Sequence, residues 1–141
     1  MGALPLETYT WADTGYQPLV FSHDWQVALL NWEPPFDLDR LGEIERHNHT
    51  DEVFVLVKGS ALLFAISEDG QMRIADMQPG VVHNVTKGSW HGLVATRDVQ
   101  IIIIENRDTH LHDNEFRFLS SSERQLVFEK LPTWVKNLSE N

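Results

Sequence analysis

The segment His47-Asn48-His49-Thr50-Asp51-Glu52-Val53-Phe54-Val55-Leu56-Val57-Lys58-Gly59 places two imidazoles and an acid directly before an apolar run that ends in glycine. In an extended strand residues i and i+2 share a face, so His47 and His49 are expected to project together. Two adjacent imidazoles form a natural metal chelate. Under strict alternation Glu52 would fall on the opposite face, so a bulge or tight turn at Thr50-Asp51 has to intervene for it to join them. From Glu52 onward the alternation is regular, with Glu52, Phe54 and Leu56 on one face and Val53, Val55 and Val57 on the other. Both faces beyond the acid are apolar. Glu52 therefore stands at the edge of a buried layer, where an ionised carboxylate needs a cation or a hydrogen-bond donor.

Outward from this segment, Lys58-Gly59, Asp69-Gly70, Pro79-Gly80, Lys87-Gly88 and Arg97-Asp98 read as turns. Between them lie short apolar runs at 53–57, 61–66, 72–75, 81–85, 92–95 and 99–104. Short strands at this period predict an all-β sandwich or barrel rather than βαβ units. Glu68-Asp69-Gly70-Gln71 reads as a hairpin turn. The run Ile101-Ile102-Ile103-Ile104 lacks alternation, which predicts a strand covered on both faces. Upstream, Trp25 to Trp32 reads as a further strand that stops at Pro34-Pro35, with a loop over 36–41. Near the end, Leu126, Val127, Lys130 and Leu131 recur at helical spacing. A serine N-cap before them and Pro132 after them predict one short C-terminal helix.

At 141 residues, with 42% apolar and 23% charged side chains, the chain has the composition of one soluble domain, 1–141. It contains no cysteine, which excludes thiolate metal sites, cysteine nucleophiles and disulfide frameworks. Lys plus Arg number 11 against 21 for Asp plus Glu, a net charge of −10 that argues against a nucleic-acid partner. Eight of the acids (Glu7, Asp13, Asp24, Glu33, Asp37, Asp39, Glu43 and Glu45) precede His47. They read as a solubilising surface, or as carboxylates placed near a cation. The first residues lack the basic start and apolar run of a signal peptide, and no stretch approaches the ~20 apolar residues of a membrane span. The expectation is a cytoplasmic protein without membrane contact.

In its central half, about residues 42–95, the chain resembles the cupin superfamily. That family's first motif is His-x-His, an acid, six residues and a glycine, matched here by His47, His49, Glu52 and Gly59. Gly80, Gly88 and His91 fall in register with its second motif. Two residues separate His49 from Glu52 where the family usually has three or four. Thr86 replaces the motif's proline, Ala95 its asparagine, and the glycine expected before the first histidine is displaced to Gly42. The resemblance implies a double-stranded β-helix, or jelly-roll barrel, of the small RmlC-like type. Its core would span about 19–106 and its helical tail about 120–138. It also implies a homodimer, and His47, His49, Glu52 and His91 as ligands of one divalent transition metal ion. Imidazole and carboxylate donors suit Zn, Fe, Mn, Ni, Co or Cu.

Phe54, Leu56, Phe64, Trp90 and His83 are the candidates for lining a pocket beside those ligands. His110, His112 and Asp113 read as a surface loop, and His23-Asp24 as a surface turn. The sequence carries no phosphate-binding glycine loop, no G-x-S-x-G elbow and no H-E-x-x-H helix. The functional expectation is a metal-dependent isomerase, lyase or dioxygenase for a small oxygen-rich molecule such as a sugar, keto acid or polyphenol. The alternative is a non-catalytic barrel that binds or senses a small molecule.

Overall fold

The computed structural model describes residues 4–138. Among the described residues, ten strands form two five-stranded sheets. They are β1 (Tyr16–Phe21), β2 (Trp25–Asn31), β3 (Glu43–Arg46), β4 (Glu52–Lys58), β5 (Ala61–Ile66), β6 (Met72–Asp76), β7 (Val82–Val85), β8 (Trp90–Ala95), β9 (Gln100–Asn106) and β10 (Glu115–Phe118). The first sheet runs β1-β2-β9-β4-β7 and the second β10-β3-β8-β5-β6, with antiparallel pairing throughout. The expected turns are in place: Gly59, Gly70, Gly80 and Gly88 all take positive φ, the conformation that glycine enters without a Cβ penalty.

Two apolar cores result, and strand alternation decides which residue enters which. Between the sheets lie Ala28, Leu30, Phe54, Leu56, Ala61, Leu63, Leu93, Ile101 and Ile103. Behind the second sheet, Ile44, Leu62, Phe64, Ile66 and Val94 pack against Val127 and Val135. Those two valines belong to α2 (Ser121–Glu129) and α3 (Thr133–Leu138). The tail is thus two helices, because Pro132 ends the first path and restarts the chain at Thr133. Ser120 caps α2, accepting from the Glu123 amide while the Glu123 carboxylate accepts from the Ser120 amide.

The strand covered on both faces is β5, not β9. Ile101 and Ile103 are buried, but Ile104 is 37% exposed, since the helices cover only the second sheet. The 36–41 loop contains parts of two 3-10 turns, Pro34–Phe36 and Leu38–Arg40. A short helix, α1 (Thr109–His112), and β10 follow the last long strand in a stretch with no strong apolar period. No helix among the described residues is long and apolar enough to cross a membrane.

Gly59 cannot be replaced cheaply. Its φ is +76°, and an added Cβ would meet the Val99 Cα at 2.7 Å, a backbone atom that no rotamer change can move. Gly59→Ala is expected to lower stability by about 2–4 kcal/mol, from strain plus overpacking. The denaturation midpoint measures this directly, and an unchanged midpoint would mean that the β4–β5 turn relaxes freely.

Candidate metal centre

Strand β3 ends at Arg46, and this sets the geometry of the site. The Asp113 carboxylate accepts from the backbone amides of Asn48 (2.8 Å) and His49 (2.9 Å), pinning both residues into a turn. Alternation therefore runs backward from His47 to Glu45 instead of forward to His49. Glu45 Oε1 lies 3.7 Å from the Nε2 atoms of both His47 and His91. Glu52, the first residue of β4, places Oε1 2.9 Å from His91 Nε2 and 3.4 Å from His47 Nε2. The donor atoms of Glu45, His47, Glu52 and His91 all lie within 4.8 Å of one another.

Three of the four implied ligands thus converge, while His49 lies outside the cluster and Glu45 takes the remaining place. Glu45 had been legible only as one acid in an acidic stretch.

The donor set fits a divalent metal. His47 Nδ1 contacts the Asp113 carbonyl oxygen at 2.7 Å and His91 Nδ1 the Ser89 carbonyl oxygen at 3.4 Å. A carbonyl can only accept, so in each neutral ring Nδ1 carries the hydrogen and Nε2 turns a lone pair toward the cluster. With both rings neutral, Glu52 Oε1 faces the Nε2 lone pairs of His91 and His47 with no hydrogen between them, a costly state that a cation relieves. Donors about 2.1 Å from one ion stand roughly 3.0–3.4 Å apart, so Glu52, at 2.9 and 3.4 Å, matches that separation, and Glu45, at 3.7 Å, has to close slightly to join it.

Without an ion the cluster holds protons. Burial alone would depress the His91 imidazolium, but contact with Glu45 and Glu52 outweighs it and pushes the group up to about 10. Burial likewise opposes the charge on His47, and Glu52, the Asp113 carbonyl and Glu45 outweigh it, to about 9. Burial would raise Glu52, yet the two imidazoles hold its carboxyl well below the usual range.

Sequence reasoning missed a second polar group beside the cluster. Glu105, on β9, is buried, and its Oε1 accepts from the Tyr16 hydroxyl at 2.5 Å. Gln26 Nε2 donates to the Tyr16 oxygen at 2.9 Å and contacts His110 Nδ1 at 3.1 Å. Glu105 Oε2 has no hydrogen-bond partner and stands 3.9 Å from His47 Nε2. Burial and then the charge of Glu52 push the Glu105 carboxyl up to about 8. The only early signal was its position after a four-isoleucine run, at the end of a core strand.

A cavity of about 640 Å³ opens from this centre to the surface near Phe116 and Phe118. Of the expected lining residues, Phe54 is there and four are not. Leu56 is buried in the core between the sheets. Phe64 and Trp90 alternate away from their cavity-facing neighbours and pack on the helix side of the second sheet, where Arg46 and Arg117 stack on Trp90. His83 sits opposite Phe54 on the edge strand β7, off the cavity lining. The expected surface loop is divided: His110 lines the cavity and Asp113 anchors the 48–49 turn, while His112 is exposed. His23, beside Asp24, is exposed as expected.

No family model and no curated protein sequence matches the chain. Among solved structures it is similar to Rru_A2000 from Rhodospirillum rubrum, described as a cupin-2 domain. The TM-score there is 0.53 at 14% identity, covering 89% of this chain and 76% of that one. BH2720 from Bacillus halodurans gives 0.52 at 16% identity, over 81% of this chain and 83% of its own. KdgF from a Halomonas species gives 0.50 at 18% identity, over 73% and 92% respectively. The fold is thus the double-sheet barrel of these structures, the first of them a cupin-2 domain. The Glu45, His47, Glu52 and His91 cluster of this chain could hold a metal ion.

Proposed function

We propose that the protein is a metal-dependent enzyme that acts on a small oxygen-rich molecule by proton transfer, as an isomerase or a lyase does. The observation that carries this reading is the placement of a four-donor cluster and one further buried acid, Glu105, at the inner end of a single cavity. A divalent ion held by Glu45, His47, Glu52 and His91 would supply Lewis-acid polarisation of a substrate oxygen. Glu105 supplies what the ion does not. Its Oε1 is tied by Tyr16, so the carboxyl is held in one orientation while Oε2 is left free to take and return a proton. Burial raises the proton affinity of this carboxyl, and burial remains when an ion offsets the charge of Glu52, so the group suits acid–base work. Leu30, Phe54 and Ile103 wall the inner cavity with apolar surface, which limits the water that competes for that proton. Dioxygen chemistry has no comparable need for a held acid, so this arrangement favours the isomerase or lyase class.

The test is exchange of a carbon-bound proton with deuterated water, followed by NMR over a panel of reducing sugars and keto acids with metal-loaded protein. Glu105→Gln is expected to slow the exchange about 10²–10⁴-fold with metal content unchanged. Ligand binding without exchange by the wild-type protein would favour a binding or sensing barrel instead.

A further inference from the structure

The cavity has an unbalanced charge. Its lining includes Glu33, Glu43, Glu45, Glu52 and Glu105 against Arg40 and the imidazoles of His47, His91 and His110. A divalent ion at the cluster, or without it the two imidazoliums of His47 and His91, offsets Glu45 and Glu52, and Glu33 and Glu43 then stand against Arg40 alone. The acids are also crowded: burial and the neighbouring charge of Glu45 raise the Glu33 carboxyl above its ordinary value. Glu105, in the inner part of the same space, keeps Oε2 buried without a partner.

The outer wall adds an independent feature. In the pairing of β3 with β10, Glu45 stands opposite Phe116 and Glu43 opposite Phe118. Directly paired residues project to the same face with Cβ atoms about 5 Å apart, so Phe118 shares the cavity face with Glu43, and Phe116 shares it with Glu45, whose carboxylate is turned to the cluster. Both rings are more than half exposed. Elsewhere Phe21, Trp32, Trp90 and Phe128 each carry an arginine over the ring. Among the described residues no arginine is stacked on Phe116 or Phe118. A carboxylate next to an open aromatic face is the arrangement that attracts an organic ammonium, by Coulomb attraction and by the ring quadrupole together.

We infer that the molecule bound in this cavity is an oxygen-bearing organic ammonium, with its oxygen end toward the cluster and its cation between Glu33, Glu43 and the Phe116 and Phe118 rings. This rests on the proposed function and narrows its substrate class. Amino sugars and amino alcohols fit, and keto acids are disfavoured by the acidic wall. Glu33 and Glu43 determine specificity and take no part in proton transfer.

The experiment uses three probes of one shape and different charge: choline, its neutral carbon isostere 3,3-dimethylbutan-1-ol, and 3,3-dimethylbutyrate. Binding is followed by NMR shifts of the phenylalanine and histidine side chains, in metal-free and metal-loaded protein of measured metal content. Choline is expected to bind about tenfold or more tighter than the neutral isostere, and the carboxylate weakest. Glu33→Gln/Glu43→Gln should remove most of the choline preference while leaving the neutral probe's affinity unchanged. The inference is overturned if choline does not bind, if the neutral or anionic probe binds as well, or if the double variant keeps the full preference. A choline preference in protein that takes up no metal would sink the metal-dependent enzyme and leave the cation site standing. Metal uptake without any charge preference would do the reverse.

Discussion

His91→Ala is expected to leave a folded barrel that binds a divalent transition metal at least about 100-fold more weakly than the wild-type protein, whereas His49→Ala keeps both metal and stoichiometry. The contrast follows from where the two rings sit. His91 is buried at the centre of the second sheet, with Nε2 within 3.7 Å of both Glu45 and Glu52. His49 is held in the 48–49 turn by its backbone amide and lies outside the cluster. Loss of an outer hydrogen-bond partner of a metal ligand typically weakens affinity 10–100-fold, so loss of a ligand should exceed that range. Glu45→Gln should fall with His91→Ala, because it converts an anionic donor into a neutral amide. Elemental analysis beside calorimetric titration with Zn²⁺ or Mn²⁺ measures all three. Full-affinity binding by Glu45→Gln together with loss in His49→Ala would restore the His47-x-His49 chelate and overturn the arrangement described.

Which parts of this were legible in the sequence depended on the range of the interaction. Strand and turn positions between Glu52 and Ala95 follow from local chemistry: glycines where φ must be positive, and apolar runs between them. His47 and Glu52 stood out by their place before the apolar run, whereas His91 was legible only through the resemblance to the cupin motifs. The fourth donor was not, because the end of β3 is decided by Asp113, more than 60 residues away in the chain. No local signal says that the Asn48 and His49 amides are taken by that carboxylate. Face assignment failed for a related reason. Phe64 and Trp90 are apolar on either side of their strands, and composition alone does not reveal that helices 30 or more residues later supply a second core. The same helices cover β5 and leave the outward side of the isoleucine-rich β9 open, so a run of four β-branched residues overstated its burial. Tyr16, Gln26 and Glu105 meet only because β1, β2 and β9 are neighbours in one sheet, and that order is non-sequential.

Metal-free protein is expected to lose stability as the pH rises from about 6.5 to 10, and bound metal to reverse that dependence. His47 and His91 have folded-state values raised to about 9 and 10 from 6.5, so their contribution is fully present below 6.5 and is lost as the pH passes through 9 and 10. Glu105 acts in the same direction: the fold favours its neutral form, and that preference disappears as the pH climbs from 4.5 through about 8. Glu52, whose value is depressed, contributes above 4.5 and loses its part only in acid. The metal-free optimum therefore falls between about pH 4.5 and 6.5, and one imidazolium shifted this far corresponds to a loss on the order of 3–5 kcal/mol on the alkaline side. A metal ion requires both imidazoles neutral, so its binding expels protons, and its affinity rises with pH by up to about tenfold per unit for each proton released. Thermal denaturation from pH 5 to 10, with chelator and with one equivalent of Zn²⁺, should give two curves that diverge on the alkaline side. Parallel curves would mean that the imidazoles are already neutral in the metal-free fold, and that Glu52 is held by something other than their charge.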